Sequence, residues 1–325
     1  MYAFQYHRPP SLADAAKLLT GDAKLLAGGH TLIPTMKQRL ANPSALIDLS
    51  RVAELRGIEK GASGIVIGAM TTHDEVANSP VVRSAIGGLC DVAGQIGDPH
   101  VRNRGTIGGS IANNDPAADY PAAALALSAT IATNKRQIKA DDFFKGLFST
   151  ALGDGEIITR VTFPVPTKFA YIKFANPASR YALVGVAVAQ TSAGPRVAVT
   201  GAGSNGVFRH AAMEGALAKA WSAQSLAGVP TSTSEMMSDM HADAAYRAHL
   251  VGVLARRAGK GWIASASTSR LAYASGNRRI ARMGPPPALS HRSRQNRWAA
   301  RARALAASAS RLRGGALVTS ASSRC

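Results

Sequence analysis

The chain has 325 residues, enough for two or three packed units, with 46% apolar and 18% charged side chains. Its formal charge of +19 is uneven: Gly259–Cys325 holds 13 Lys and Arg and no acidic residue, so the body up to Ala258 is only mildly basic. The longest apolar run, YALVGVAVA at 181–189, is about half the ~20 residues a membrane span needs, and Cys90 and Cys325 alone cannot supply the four ligands of an iron–sulfur cluster.

The amino terminus has no basic region followed by an apolar core, so no secretory signal is expected. No His/Cys spacing suggests zinc, and so low a cysteine content fits a reducing, cytoplasmic setting.

The first segment, 1–60, reads as strand–helix–strand–helix–strand. Phe4 and Tyr6 alternate with polar neighbours, and Ser11 is placed to cap a helix through Leu12, Ala15, Ala16 and Leu19. A short apolar strand, Lys24–Ala27, runs into Gly28-Gly29. Thr31–Leu40 then has helical spacing, with Pro34 in its first turn, and Ala45–Leu49 is a further strand. The second segment, 61–166, opens with the β-branched Ile65–Ile67, then helical spacing over Val76–Cys90 broken at Pro80. A dense Gly/Asn/Asp/Pro region, GDPHVRNRGTIGGSIANNDPAADYP, fills 97–121. Ala122–Leu127 reads as a buried helix, and Glu156–Phe163 as a strand ended by Pro164 and Pro166. The third segment, 167–258, reads as three strands (Phe169–Phe174, Ala182–Gln190, Arg196–Thr200), then helices at Ala211–Lys219 and Ala242–Ala258. Sheet first and helices after is an α+β pattern.

Two glycine pairs carry the chemistry, AGGHT at 27–31 and TIGGS at 106–110. Glycine allows close approach to a ligand, and successive N–H groups in such turns can converge on phosphate oxygens. Thr31, Thr106 and Ser110 add hydroxyl donors, and a helix starting after AGGHT would turn its positive end to the anion. Neither pair contains GK[ST], so a P-loop is not supported. AGGHT alone is equally readable as a tight turn. His73-Asp74 is open to two readings, an acid–base pair or a helix start.

Three stretches, AGGHTLIPTMKQRL (27–40), IGDPHVRNRGTIGGSIANNDPAADYPAA (96–123) and YIKFANPASRYALVGVAVA (171–189), resemble the FAD-binding subunit of the xanthine dehydrogenase family. Within it they are most similar to the medium, flavoprotein subunit of aerobic carbon monoxide dehydrogenases, and the resemblance covers roughly 1–258. It implies a vanillyl-alcohol-oxidase-type (PCMH) α+β fold: two subdomains holding FAD, and a C-terminal α+β domain of a three-stranded antiparallel sheet with helices. It places Ala27, Gly28, Gly29, His30 and Thr31 on one side of the FAD pyrophosphate and Thr106, Ile107, Gly108, Gly109 and Ser110 on the other. Asn114 and Asp119 fall where the family contacts sugar or ribityl hydroxyls, Ile158 on a wall strand, and Lys173 near the flavin. From the residues alone, Asp119 reads as a helix cap, Asn113 and Asn114 as turn residues, Lys173 as a solvated strand residue and Ile158 as core. His30 invites a covalent flavin link, but the family's flavin is noncovalent. Tyr181 is open to a place beside the flavin ring or in a core strand. Arg180 stands where many relatives have an acidic residue.

The resemblance further implies electron transfer without a substrate site in this chain. A large molybdopterin subunit would oxidise the substrate, and a small subunit with two [2Fe–2S] clusters would relay electrons to this FAD. The implied assembly is a dimer of heterotrimers, cytoplasmic, with room for peripheral contact with a quinone-reducing membrane. Two other readings stand beside it. One is a free-standing FAD oxidoreductase, such as a cell-wall precursor reductase or an alcohol oxidase, although no acid–base set follows Phe163. The other is nucleic-acid binding through the Arg-rich tail. That tail, 259–325, has only Trp262, Tyr273 and Trp298 for stacking and the bias of a frameshifted reading frame, so it is expected to be disordered or foreign and no nucleic-acid partner is expected.

Overall fold

The computed structural model describes residues 1–264. The first unit is β1 (Gln5–His7), α1 (Leu12–Leu18), β2 (Lys24–Leu26), α2 (Leu32–Lys37) and β3 (Ala45–Asp48). Its three strands run parallel in the order β1-β3-β2, with a helix in each connection because parallel neighbours require crossovers. Ser11 caps α1 as the sequence suggests, its hydroxyl accepting from the Asp14 N–H at 3.1 Å. Ala15, Ile47, Leu49, Val52 and Leu55 form a small core that extends to Met70 and Ile157 of the next unit.

The second unit contains β4 (Ile58–Gly61), β5 (Gly64–Gly68), α3 (His73–Asn78), α4 (Pro80–Gly94), α5 (Pro99–Arg102), α6 (Ile107–Asn113) and α7 (Asp119–Ala126). It continues with β6 (Thr130–Thr133), β7 (Gln137–Lys139), α8 (Ala140–Phe143), β8 (Phe144–Gly146), β9 (Ser149–Thr150) and β10 (Ile158–Phe163). Five strands form an antiparallel sheet, β4-β5-β10-β6-β7, and β8–β9 is a separate hairpin. Since β4 begins at Ile58, this sheet starts a few residues before the boundary drawn from sequence. Pro80 separates α3 from α4, where the spacing predicts the break; Ser79 caps the second helix with the proline in its first turn. The Thr72 and Glu75 side chains close a capping box on α3, so His73-Asp74 is a helix start.

The third unit is β11 (Lys168–Ala175), β12 (Ala182–Thr191), β13 (Gly194–Thr200), β14 (Phe208–Arg209), α9 (Ala211–Lys219) and α10 (Ala244–Ala264). The sheet has four strands, β11-β12-β13-β14, where the sequence suggests three; the added edge strand is two residues long, too short to show alternation. β12 is buried on both faces. Val184, Val186 and Val188 pack with α9 and α10, while Ala187 and Ala189 join the core of the second unit. Alternate residues of a strand point to opposite faces, so two-sided burial explains the unbroken apolar run at 181–189. Helix α10 continues six residues into the basic tail; the rest of the tail lies outside the described residues. Among the described residues no helix is long and apolar enough to cross a membrane.

Candidate functional site

A cavity of about 680 Å³ opens among the three sheets. Leu25, Gly28 and Thr31 line it from the first unit, Gly105, Ser110, Asp119 and Ile158 from the second, and Ser179, Arg180 and Tyr181 from the third. Its size and its mixed apolar and polar wall suit a large, elongated organic ligand.

The turn after β2 supplies donors. From Ala27 to Leu32, six successive backbone N–H groups donate to no group among the described residues. Gly29 has φ +79°, the left-handed geometry that folds this run back on itself. Gly28 abuts the other glycine segment: a β-carbon there would stand 2.2 Å from the Arg104 carbonyl oxygen and 2.7 Å from the Gly105 Cα. The two segments are thus in direct backbone contact.

The second glycine pair differs from its sequence reading as a loop of converging amides. TIGGS is the first turn of α6, capped by Thr106. The Ile107 N–H donates to Thr71 O at 3.1 Å and Gly108 to Ala69 O at 2.9 Å; Gly109 donates to Thr106 Oγ1 at 3.1 Å and Ser110 to Thr106 O at 3.0 Å. The first two amides tie α6 to the segment that follows β5, and the other two close the helix's own N-terminal cap. What this side offers the cavity is the Thr106 N–H, the Thr106 and Ser110 hydroxyls and the bare surface of Gly108 and Gly109.

Eleven of the residues expected at the site line the cavity: Ala27, Gly28, Gly29, His30, Thr31, Thr106, Gly108, Gly109, Ser110, Asp119 and Ile158. Ile107, Asn114 and Lys173 stand behind the wall. Ile107 is fully buried in the second unit's core. Asn114 caps α6 in left-handed geometry, φ +43°, and its Nδ2 donates to the carbonyls of Gly146 and Ser149, each at 2.8 Å. Its Nδ2 is occupied in tying α6 to the β8–β9 hairpin, while its Oδ1 is buried without a partner among the described residues.

Lys173 reaches Asp119 from the far side. Its Nζ lies 3.0 Å from the carboxylate and donates to Gln95 O at 2.8 Å, and its side chain is only 2% exposed. The Tyr171 hydroxyl donates to the same carboxylate at 2.5 Å. Ala118, not Asp119, is the N-cap of α7, so Asp119 is free of capping duty and joins α7 to β11. Burial pushes the Asp119 carboxyl up, opposed by Lys173 and by the Tyr171 hydroxyl. A buried carboxylate is tolerable only with such partners.

Sequence reasoning missed several wall residues. Glu156 is held by Arg136, at 2.9 and 3.0 Å, by the Gly153 N–H at 2.8 Å and by Thr133 Oγ1 at 2.8 Å; the hydrogen bonds from Arg136 bring its carboxyl down to about 2. Asp115 lines the wall near Asp119, and burial raises its carboxyl. Leu49, Met70 and Ile157 add apolar wall between the first two units. Asp115 lies within the 97–121 stretch but is not singled out there; Glu156, Leu49, Met70 and Ile157 come from neighbouring elements that no local motif marks. Arg180 and Tyr181, flagged in the sequence, stand at the wall on the turn between β11 and β12, with Arg180 at φ +62°. Among the described residues no group of His, Cys, Asp and Glu is placed to hold a metal ion.

Residues 2–166 match the family described as "FAD binding domain in molybdopterin dehydrogenase". The carbon monoxide dehydrogenase medium chain of Hydrogenophaga pseudoflava is 37% identical over 273 residues, a match that spans 78% of this chain and 95% of that one. The nicotine 6-hydroxylase medium subunit of Paenarthrobacter nicotinovorans is 34% identical, again with 78% and 95% covered. Among solved structures, carbon monoxide dehydrogenase from Hydrogenophaga pseudoflava superposes with a TM-score of 0.73 at 36% identity, covering 81% of this chain and 98% of that one.

Proposed function

The chain belongs to the family of FAD-binding domains in molybdopterin dehydrogenases, and from that premise we propose that it is the electron-transfer flavoprotein subunit of a carbon monoxide dehydrogenase. The observation that carries the reading is the free amide run from Ala27 to Leu32, interlocked with the TIGGS segment in one cavity. Six unpaired donors on one turn fit the diphosphate of FAD, which would draw on them directly. The Thr106 and Ser110 hydroxyls would support it from the facing side. Asp119, fixed by Tyr171 and Lys173, would present its remaining acceptor capacity to the cofactor's hydroxyls, and Ile157 and Ile158 would flank a ring. When bound, FAD supplies the means to accept electrons from a one-electron carrier and deliver them to an acceptor. The chain's own work is to orient the cofactor, keep it dry on its buried side and set the charge around it.

On this reading the electrons arrive from [2Fe–2S] clusters in a small partner subunit, which take them from a molybdopterin centre in a large one. Two cysteines in the whole chain leave cluster ligation to a partner. The assembly is a dimer of heterotrimers in the cytoplasm, delivering electrons to an external acceptor such as a membrane quinone. Carbon monoxide is proposed from the carbon monoxide dehydrogenase relatives, two of which are matched over 95% of their length; the substrate itself is selected in the large subunit.

The test is reconstitution. The isolated chain is expected to take up FAD that acid precipitation releases, and to oxidise no substrate alone. Added to the two partners, it restores carbon-monoxide-dependent reduction of a dye. Failure to retain FAD even in the complex would remove the reading. Substrate turnover by the isolated chain would establish a free-standing oxidoreductase in its place.

A further inference from the structure

His73 opens α3 and is 5% exposed, yet it borders the cavity. Its Nδ1 is buried with no partner. Among the described residues its Nε2 makes no hydrogen bond either and, unlike Nδ1, it is not sealed by surrounding atoms. The ring rests against Tyr120, centroids 5.4 Å apart, so it cannot rotate freely to find another partner. A β-carbon at Gly105 would stand 2.5 Å from Nε2, which requires glycine there and sets the ring edge against the backbone of residue 105. Gly105 in turn touches Gly28, the second residue of the free amide run. An unpartnered ring nitrogen therefore sits beside the six free donors.

The tautomer follows from which orphan is tolerable. A buried N–H without an acceptor is rarer than an under-used lone pair, so Nδ1 carries the lone pair and Nε2 carries the hydrogen. The ring is neutral at physiological pH, because burial brings the imidazole down to about 4, with the nearby charges of His30 and Arg102 acting in the same direction.

We propose that His73 is a seventh donor of the cradle, its Nε2–H binding a diphosphate oxygen of FAD alongside the Ala27–Leu32 amides. This rests on the flavoprotein reading above. A neutral donor suits the position: it satisfies an anion without adding a fixed cation to the buried interior. It also explains why a polar ring is kept at the wall beside Ala69 and Met70, backed by the buried Tyr120.

The test compares wild type, His73→Phe and His73→Gln in the assembled complex and in the isolated chain, with FAD and with ADP as probes. Fluorescence titration is expected to show FAD binding about 10- to 100-fold weaker in H73F, the range for losing a hydrogen bond to a charged group. The same factor is expected for ADP, which carries the adenosine and the diphosphate of FAD but no flavin. H73Q, whose amide restores a donor, should recover most of it. In ¹⁵N-histidine spectra of wild type, the His73 proton should reside on Nε2 and shift when FAD binds. Unchanged FAD affinity in H73F, with wild type binding FAD normally, would overturn the His73 assignment and leave the flavoprotein reading intact. A loss for FAD but not for ADP would place His73 at the flavin end and also overturn it. If H73F melts early, H73Q and the spectral signature still decide. Wild type that binds neither probe would remove the parent reading.

Discussion

Replacing Gly28 by alanine would put a β-carbon 2.2 Å from the Arg104 carbonyl oxygen, so the turn carrying the free amides must move. FAD affinity should fall by at least about tenfold, as loss of one or more charge-assisted hydrogen bonds implies, read by fluorescence titration. Gly87→Ala is the matched control: its nearest neighbour is the Arg83 Cδ at 3.9 Å, so alanine fits there and FAD binding should be unchanged. Glu156 sets a pH limit. Its carboxyl is held near 2, below the unfolded value, so its stabilising contribution is complete above about pH 4.5 and is lost as pH falls through 2. Glu156→Gln should therefore flatten the acid limb of stability, measured as urea midpoints at pH 7 and pH 3. Residue identity predicted Gly28, Gly29 and Thr106 at the cavity because special backbone geometry is written locally, whereas Asp119, a helix cap by its residue pattern, is placed there by the family resemblance. It did not predict Glu156, whose position depends on Arg136 and Gly153 across a turn.

At the level of elements, the joint between α7 and β11 is a buried ion pair. Lys173→Met should destabilise the protein by about 3–5 kcal/mol, because Asp119 is left as an uncompensated charge beside Tyr171. Adding Asp119→Asn should recover part of that loss, and equilibrium unfolding of the four-member cycle separates the two terms. Long elements were legible from pattern: the Pro80 break between α3 and α4, the doubly buried β12, the helix α9. Short ones were not, since β8, β9 and β14 hold two or three residues each and their pairing is set by partners distant in sequence. The TIGGS segment misled for a physical reason. Glycine pairs signal close approach whether the close partner is a ligand or the protein itself, and here Gly108 approaches Ala69.

For the molecule as a whole, the cavity takes its wall from all three sheets, so ligand binding and global stability are linked. FAD at about 100 times its dissociation constant should add ~2.7 kcal/mol and raise the melting temperature by roughly 5–10 °C in a scanning experiment. No comparable rise is expected in the Gly28→Ala protein at the same FAD concentration. The contact between Gly28 and the Arg104–Gly105 backbone has a kinetic corollary. Donors on the turn after β2 and hydroxyls on the first turn of α6 face each other only while that seam is shut. A cofactor clasped across a seam leaves when the seam parts, so the rate of flavin loss is a clock for the opening of the first two units. Hydrogen exchange at residues 27–32 and 104–106 should then keep the same time.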